Sequence, residues 1–462
     1  MAVAVSVIVP GGEDVDQYQP LWEFRWRVYG SLTGWADTLF EACDALVCGT
    51  GRLESLPHLS LEPQCRRGHG SVYAALDRGV IDTDALGEAL AGALCPEWGW
   101  VFAADTSGWP RPKARTSPQR THNYDVRKDG GDHRWCTTPG WSFGWLAQVG
   151  PGEASWVAPV DVDRVGPDRT PAGVTVSQIR RLVARLARSQ PGVIPIVCHD
   201  AGYAVNAVAT PLAGEQVQVV IRLKSHAVFH TCPPPPAPGT RGRPRRHGQR
   251  IKLSDPSTWP DPDQHLLVPP GTKHAALSIS AWHRVHPKPS KDLHEPGNDR
   301  SRNTNRQLVH GTLIQIRSAD PSAPTMWLWW SGPAGSFELD QIWRAYLRRF
   351  GIEHFFRFIK QYLAWTTPRL RPPAQAERWS WIVATAYTHL VLARTLTTSH
   401  HPWHRHGPLS PLRVKRGFRN VHPHLGTPAK PPQKSKPGPG RPKGRPNQRK
   451  HPDHPVVKKS KR

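Results

Sequence analysis

The chain has 462 residues, enough for two to four domains, and its 61 Lys and Arg against 36 Asp and Glu leave a net charge of +25. A surplus of that size points to a polyanionic partner, nucleic acid or an anionic membrane surface. Hydrophobic residues make up only 38%, and 49 Pro with 39 Gly predict long connections, while 20 Trp exclude wholesale disorder because rings that large need burial.

Three further classes are not expected. The longest apolar stretch, 379–393, is too short for a membrane span and carries His389. The opening MAVAVSVIVP has no basic n-region and does not read as a signal peptide. Seven cysteines form an odd set without a CxxC pair, which speaks against a disulfide framework and a structural zinc site. A cytoplasmic, nucleoid-associated protein without a membrane partner is the expectation.

In chain order, residues 1–98 carry a net charge of −8 and show helical periodicity in GWADTLFEACDALV and TDALGEALAGAL. They are expected to form a helical packing or dimerisation domain. From residue 99 the texture changes to strand runs at GWVFAAD (99–105), WSFGWLAQV (141–149) and SWVAPVDV (155–162). A helix at 176–190 follows, then strands VIPIVCHD (193–200) and VQVVIRLKS (217–225). This order predicts an α/β arrangement around a mixed sheet over 99–225.

Residues 226–335 contain the Pro- and Arg-rich CPPPPAPGTRGRPRRHG and then HLLVP, AALSISAWHRV, TLIQIRS and TMWLWWS, a β-rich insertion with one basic loop. One long helix is expected over 337–365, with Ser336 as N-cap, so that 336–367 returns to the core. A second helix is expected from Ala374 to Thr395 within a helical region 368–425. The tail 426–462 carries +11 and reads as disordered by composition.

Three carboxylates stand out by placement. Asp105 and Asp200 each close an apolar strand, where side chains project at the sheet's C-terminal edge. Glu353 lies in YLRRFGIEHFFRFIK with Tyr346, Arg349 and Lys360 at helical spacing, which gathers all four on one face. Such a stripe is either a solvated, salt-bridged face or a grip on a phosphate backbone beside a metal.

The pattern resembles the DDE transposases of bacterial insertion sequences, in the insertion-sequence-four branch, whose signature Y-(2)-R-(3)-E-(6)-K is matched by Tyr346, Arg349, Glu353 and Lys360. Asp105 in FAADTSGWPRP and Asp200 in IVCHDAGY match its two aspartates, and the likeness spans about residues 99–395. The resemblance implies an RNase H-like catalytic core in which Asp105, Asp200 and Glu353 hold two divalent ions, Mg2+ with Mn2+ as a substitute. It further implies end cleavage and strand transfer on double-stranded DNA, with transposon terminal repeats and target as partners and a homodimer on paired ends. Tyr346, Arg349 and Lys360 would contact that DNA. The 153-residue gap between Asp200 and Glu353 fits the β-rich insertion of this branch.

Other features keep two readings each. Arg241 and Arg243 in RGRP, and GRPKGRP at 440–446, suit either A·T minor grooves or non-specific phosphate attraction. His400, His401, His404 and His406 are either a metal cluster or a linker. Trp109, Trp282 and Trp343 stack on a flipped base or pack in the core. The competing functions are a non-enzymatic DNA-binding descendant and an RNase H-fold nuclease.

Overall fold

The computed structural model describes residues 15–129 except 52, 132–152, 156–235, 245–288 except 273, 308–397 except 334, 409–433 and 451–458. The chain opens with α1 (Val15–Ser31), β1 (Leu32–Gly34), α2 (Ala36–Cys48), α3 (Leu56–Leu59), α4 (His69–Arg78), β2 (Val80–Ile81) and α5 (Thr83–Gly92). Two buried acids of this part pair with its own arginines. Asp44, buried on α2, takes a bidentate pair from Arg25 at 2.5 and 2.9 Å and a contact from His422 at 3.2 Å. Glu41 pairs with Arg66 and Arg67.

The central sheet follows: β3 (Val101–Pro110), β4 (Thr121–Asp129), β5 (Asp132–Val149), β6 (Val157–Val165), α6 (Pro171–Ser189), β7 (Ile196–His199), α7 (Val205–Ala209) and β8 (Gln218–Arg222). Antiparallel β6 and β5 flank β3 on one side, and parallel β7 and β8 lie on the other. This is the mixed sheet of an RNase H-like α/β core. Thr170 caps α6 by accepting the Gly173 N–H at 3.1 Å, and Pro171 occupies the first turn, where no N–H is needed.

The inserted strands extend this sheet. They are β9 (Val228–His230), β10 (Arg250–Lys252), β11 (Gln264–Val268), β12 (Leu277–Pro287), β13 (Gly311–Ser318) and β14 (Met326–Trp330). β14 pairs antiparallel with β8, so the free edge of the core sheet is covered and the order runs on through β13, β12, β9 and β10. The last helices are α8 (Leu339–Arg348), α9 (Gly351–Tyr362), α10 (Pro373–Leu392) and α11 (Pro411–Val421).

Alternation along the central strands divides the core. Phe102, Ala104, Val197, Val219 and Ile221 join Ile179, Leu182 and Leu186 of α6 in one apolar cluster. Val101, Ala103, Ile196, Cys198 and Val220 join Ile342, Ile352 and Phe355 of α8 and α9 in the other. Period-two strands bury both faces because helices cover both.

The structure corrects several expectations. The helix expected over 337–365 is two helices, because Arg349 to Glu353 form i→i−3 bonds around Gly351, which packs against Val157 and has low helix propensity. Glu338, with its N–H bonded to Gln341 Oε1 at 3.1 Å, replaces Ser336 as N-cap. β3 continues past Asp105 to Pro110, because the long β5 pairs with it as far as Gly140. Trp109, Trp282 and Trp343 are all core residues, at 0%, 3% and 3% exposure.

The tail is anchored at two points. Gly426 O accepts from Arg25, Ala429 O from Arg66, Lys430 O from Arg67, and the Lys430 N–H donates to Asp37. Farther on, the Val457 N–H donates to Arg120 O at 2.8 Å and Arg120 donates to His454 O at 2.7 Å. Residues 434–450 and 459–462 lie outside the described residues. Deleting 426–462 is therefore expected to lower unfolding free energy by about 2 kcal/mol or more, since several hydrogen bonds at roughly 1 kcal/mol each are lost. Non-specific DNA affinity and its salt slope should fall in parallel. Urea unfolding with an unchanged midpoint would show that neither anchor holds in solution.

Candidate active site

Ala103 on β3 and Cys198 on β7 are register partners in a parallel pair. Two residues farther on, Asp105 and Asp200 therefore emerge side by side on the face covered by α8 and α9. β7 ends at His199, so Asp200 begins the loop, where its Oδ1 accepts the Gly202 N–H at 2.9 Å. Asp105 Oδ1 accepts its neighbour Thr106 N–H at 2.7 Å. Trp145 stands opposite Asp105 and packs on Phe355 and Trp365, closing the site from below with rings.

Arg349 enters from the tight turn between α8 and α9. Its guanidinium reaches Asp105 Oδ2 at 3.2 Å and Glu353 Oε1 at 2.8 Å, and its side chain is 10% exposed. The turn thus places Glu353 and the first aspartate on either side of one cation. Tyr346, 4% exposed, lies beneath that guanidinium, 6.0 Å from ring centre to Cζ. Expected to face DNA, Tyr346 instead packs inward and supports Arg349, because α8 turns its ring toward the sheet. Lys360 is two turns beyond Glu353, with its Nζ 5.8 Å from the Trp365 ring centre. Arg241, Arg243, the second basic motif and the His400 cluster lie outside the described residues.

The electrostatics follow from crowding. Burial, then the charge of Asp200, pushes the Asp105 carboxyl up to about 7; Arg349 opposes this and Glu353 adds to it. Burial works against the charge on Arg349, but Tyr346, Asp105 and Glu353 outweigh it and hold the pKa above its ordinary value. Tyr203, which the sequence reading passed over, sits beside both aspartates. Burial first, then Asp105, raises its hydroxyl, which lies 3.4 Å from Thr175 Oγ1. Its position three residues after Asp200 in HDAGY was the available signal.

Among the described residues no three His, Cys, Asp or Glu side chains form a ready-made metal geometry. The donor set still suits a hard divalent cation: three carboxylates, all oxygen, with negative charge in excess of what Arg349 neutralises. That excess sets a pH dependence for the metal-free protein. A carboxyl held above its ordinary value keeps its proton in the fold, so stability falls as pH rises from about 4 through about 7. Asp105→Asn is therefore expected to be more stable than the parent at pH 8 by roughly 1–3 kcal/mol, with the gap closing toward pH 4. Urea unfolding in chelator across that range checks it, and a gap that widens toward acid would reverse the sign.

Among the described residues no helix is long and apolar enough to cross a membrane. Comparison with curated proteins finds no match. Among solved structures, a cryo-EM synaptic complex of piggyBac transposase with hairpin DNA is similar over 93% of this chain and 77% of that one, at 9% identity and a TM-score of 0.39. A family profile described as DDE superfamily endonuclease matches residues 27–288, taking in Asp105, Asp200 and the inserted strands through β12 and stopping before Arg349 and Glu353. With more than half of the chain inside that match and both aspartates converging on one face of the sheet, the chain belongs to the DDE superfamily endonucleases.

Proposed function

We propose that the protein is a DNA transposase of the insertion-sequence-four type, which cleaves phosphodiesters at transposon ends and transfers the freed 3′ ends into target DNA. The observation that carries the reading is the meeting of Asp105 and Glu353 on Arg349, with Asp200 beside Asp105 at the end of the neighbouring strand. Two magnesium ions, with manganese as a substitute, would activate the attacking water and stabilise the leaving oxygen. Asp105, Asp200 and Glu353 are their ligands.

The chain's own residues supply position and charge. Arg349 balances Asp105 and Glu353 and, held by Tyr346, stands ready to meet a phosphate oxygen. Lys360, farther along α9, and the +25 net charge draw the duplex to this face. Arg241 and Arg243 are assigned to DNA contact, and a homodimer on paired ends is the assembly in which both ends meet. The test is cleavage of a duplex built from the inverted repeats that flank the coding sequence, with magnesium and with chelator. Metal-dependent nicking at the repeat boundary supports the reading, whereas binding without nicking would leave only a DNA-binding descendant.

A further inference from the structure

The end of the inserted sheet carries a second group of ligand-type residues, remote in sequence from the carboxylates. His230 closes β9 and is the register partner of His286 on β12. His247 lies just before β10, on the strand that pairs with β9, and His310 lies just before β13, on the strand that pairs with β12. The sheet order therefore groups four imidazoles, His230 and His286 on paired strands and His247 and His310 on the residues that lead into the strands on either side. Ring centres are 4.9 Å apart for His230–His247, 5.0 Å for His247–His286, 5.9 Å for His230–His286 and 5.1 Å for His286–His310. Cys232, two residues past His230, puts its Sγ 3.5 Å from His310 Nδ1 and 3.2 Å from Arg284 O.

The nitrogens are the telling detail. His286 is fully buried, and its Nδ1 lies 3.1 Å from Pro287 O, which leaves Nε2 with a lone pair and no partner. His230 Nδ1 and His247 Nδ1 are likewise buried without partners. Leaving one such group unsatisfied costs roughly 1–3 kcal/mol, and three on neighbouring rings call for a partner they could share once the rings turn. Three imidazoles bound to one tetrahedral ion at about 2.0–2.1 Å would have ring centres roughly 5 Å apart, the spacing seen here. A backbone carbonyl on the far nitrogen of His286 is also how a ligating histidine is usually oriented.

We propose that His230, His247, His286 and Cys232 bind one Zn2+, with His310 next to the sulfur. Nitrogen with one thiolate is a borderline-soft donor set, which selects zinc over the hard cations of the carboxylate site. Ligation through neutral imidazole nitrogens would release no proton from the rings, and ligation by Cys232 as thiolate would release one to solvent. Arg246, Arg250 and Lys288 face the cluster and oppose a cation, and the Cys232 thiolate would counter one of those three charges. In the conformation described, no three donors converge on one point, so binding requires the rings to turn about their Cβ–Cγ bonds. In sequence, Cys232 and His247 flank the basic stretch that carries Arg241 and Arg243. The proposed ligand set departs from the expectation drawn from cysteine spacing, which weighed cysteine pairs alone.

The test uses the full chain, stripped with chelator, loaded with zinc and passed through gel filtration before elemental analysis. About one retained equivalent is expected, both in the parent and in Asp105→Ala/Asp200→Ala, which removes the carboxylate site from the count. His247→Ala and Cys232→Ser, at half-buried positions chosen to preserve the fold, should lose it. Cobalt substitution should give a thiolate charge-transfer band that is absent from Cys232→Ser. A parent that retains no zinc, equal retention in His247→Ala, or retention with the same band in Cys232→Ser would each overturn the proposal.

Discussion

Asp105→Ala, Asp200→Ala and Glu353→Ala are each expected to reduce magnesium-dependent cleavage of a terminal-repeat duplex by on the order of a thousandfold or more, with affinity for that duplex nearly unchanged. The size follows from the several kcal/mol of transition-state charge stabilisation that a correctly held ion supplies. Binding persists because cations neutralise the phosphates, and none of the three carboxylates supplies one. Glu353 is the most informative of the three. It lies beyond the matched residues 27–288, and its place rests on the Arg349 contact and the α8–α9 turn. Cleavage gels and mobility shifts on the same preparations decide it. Near-parental cleavage by any one variant removes that residue from the ligand set.

The second large effect is expected at Arg349. A pure phosphate contact could be removed without loss of stability, but Arg349 is buried between Asp105 and Glu353. Removing one member of a buried ion pair leaves the other charge uncompensated, at about 3–5 kcal/mol when both are fully buried. Glu353 is 44% exposed, so solvent screens part of this, and a loss of roughly 1–3 kcal/mol is expected for metal-free Arg349→Ala. Magnesium should restore more stability to this variant than to the parent, because the bare carboxylates bind it more tightly and ligand binding adds to unfolding free energy. Cleavage should still fall about a hundredfold, the effect of misplacing the scissile phosphate by about 1 Å. Thermal unfolding with and without magnesium, beside single-turnover cleavage, separates the two roles. Equal magnesium stabilisation in both proteins would deny Arg349 its place among the carboxylates.

Burial also separates two kinds of charge that the sequence presents alike. Asp44 and Asp161 are acids at 2% and 1% exposure whose arginine partners are fixed by packing, Arg25 in one case and Arg181 with Arg185 in the other. Asp105 shares one arginine with Glu353 and stands beside Asp200. Acids saturated by cations serve the fold, while an acid short of cations has charge left for a ligand.

The helices expected at 176–190 and from Ala374 to Thr395, and the strands β3, β6, β7, β8 and β11 to β14 with the second half of β5, were legible because each carries an unbroken apolar pattern, whereas β4, β9 and β10 went unread. The triad was legible as residue types at signature spacing. Its assembly was not, because which strand neighbours which is set by long-range pairing: Ala103 meets Cys198 only in the folded sheet. The same holds for the break at Arg349, which arises because α8 and α9 must each follow a different part of the twisted sheet, with Gly351 permitting the turn. The tail and the histidine group show the limit most plainly. Composition sets a segment's solubility and charge, so it marked 426–462 as unfolded and scored the cysteines by local spacing. Anchors at Lys430 and Val457, and the grouping of four imidazoles, depend on contacts between residues tens to hundreds of positions apart, and no local pattern encodes those.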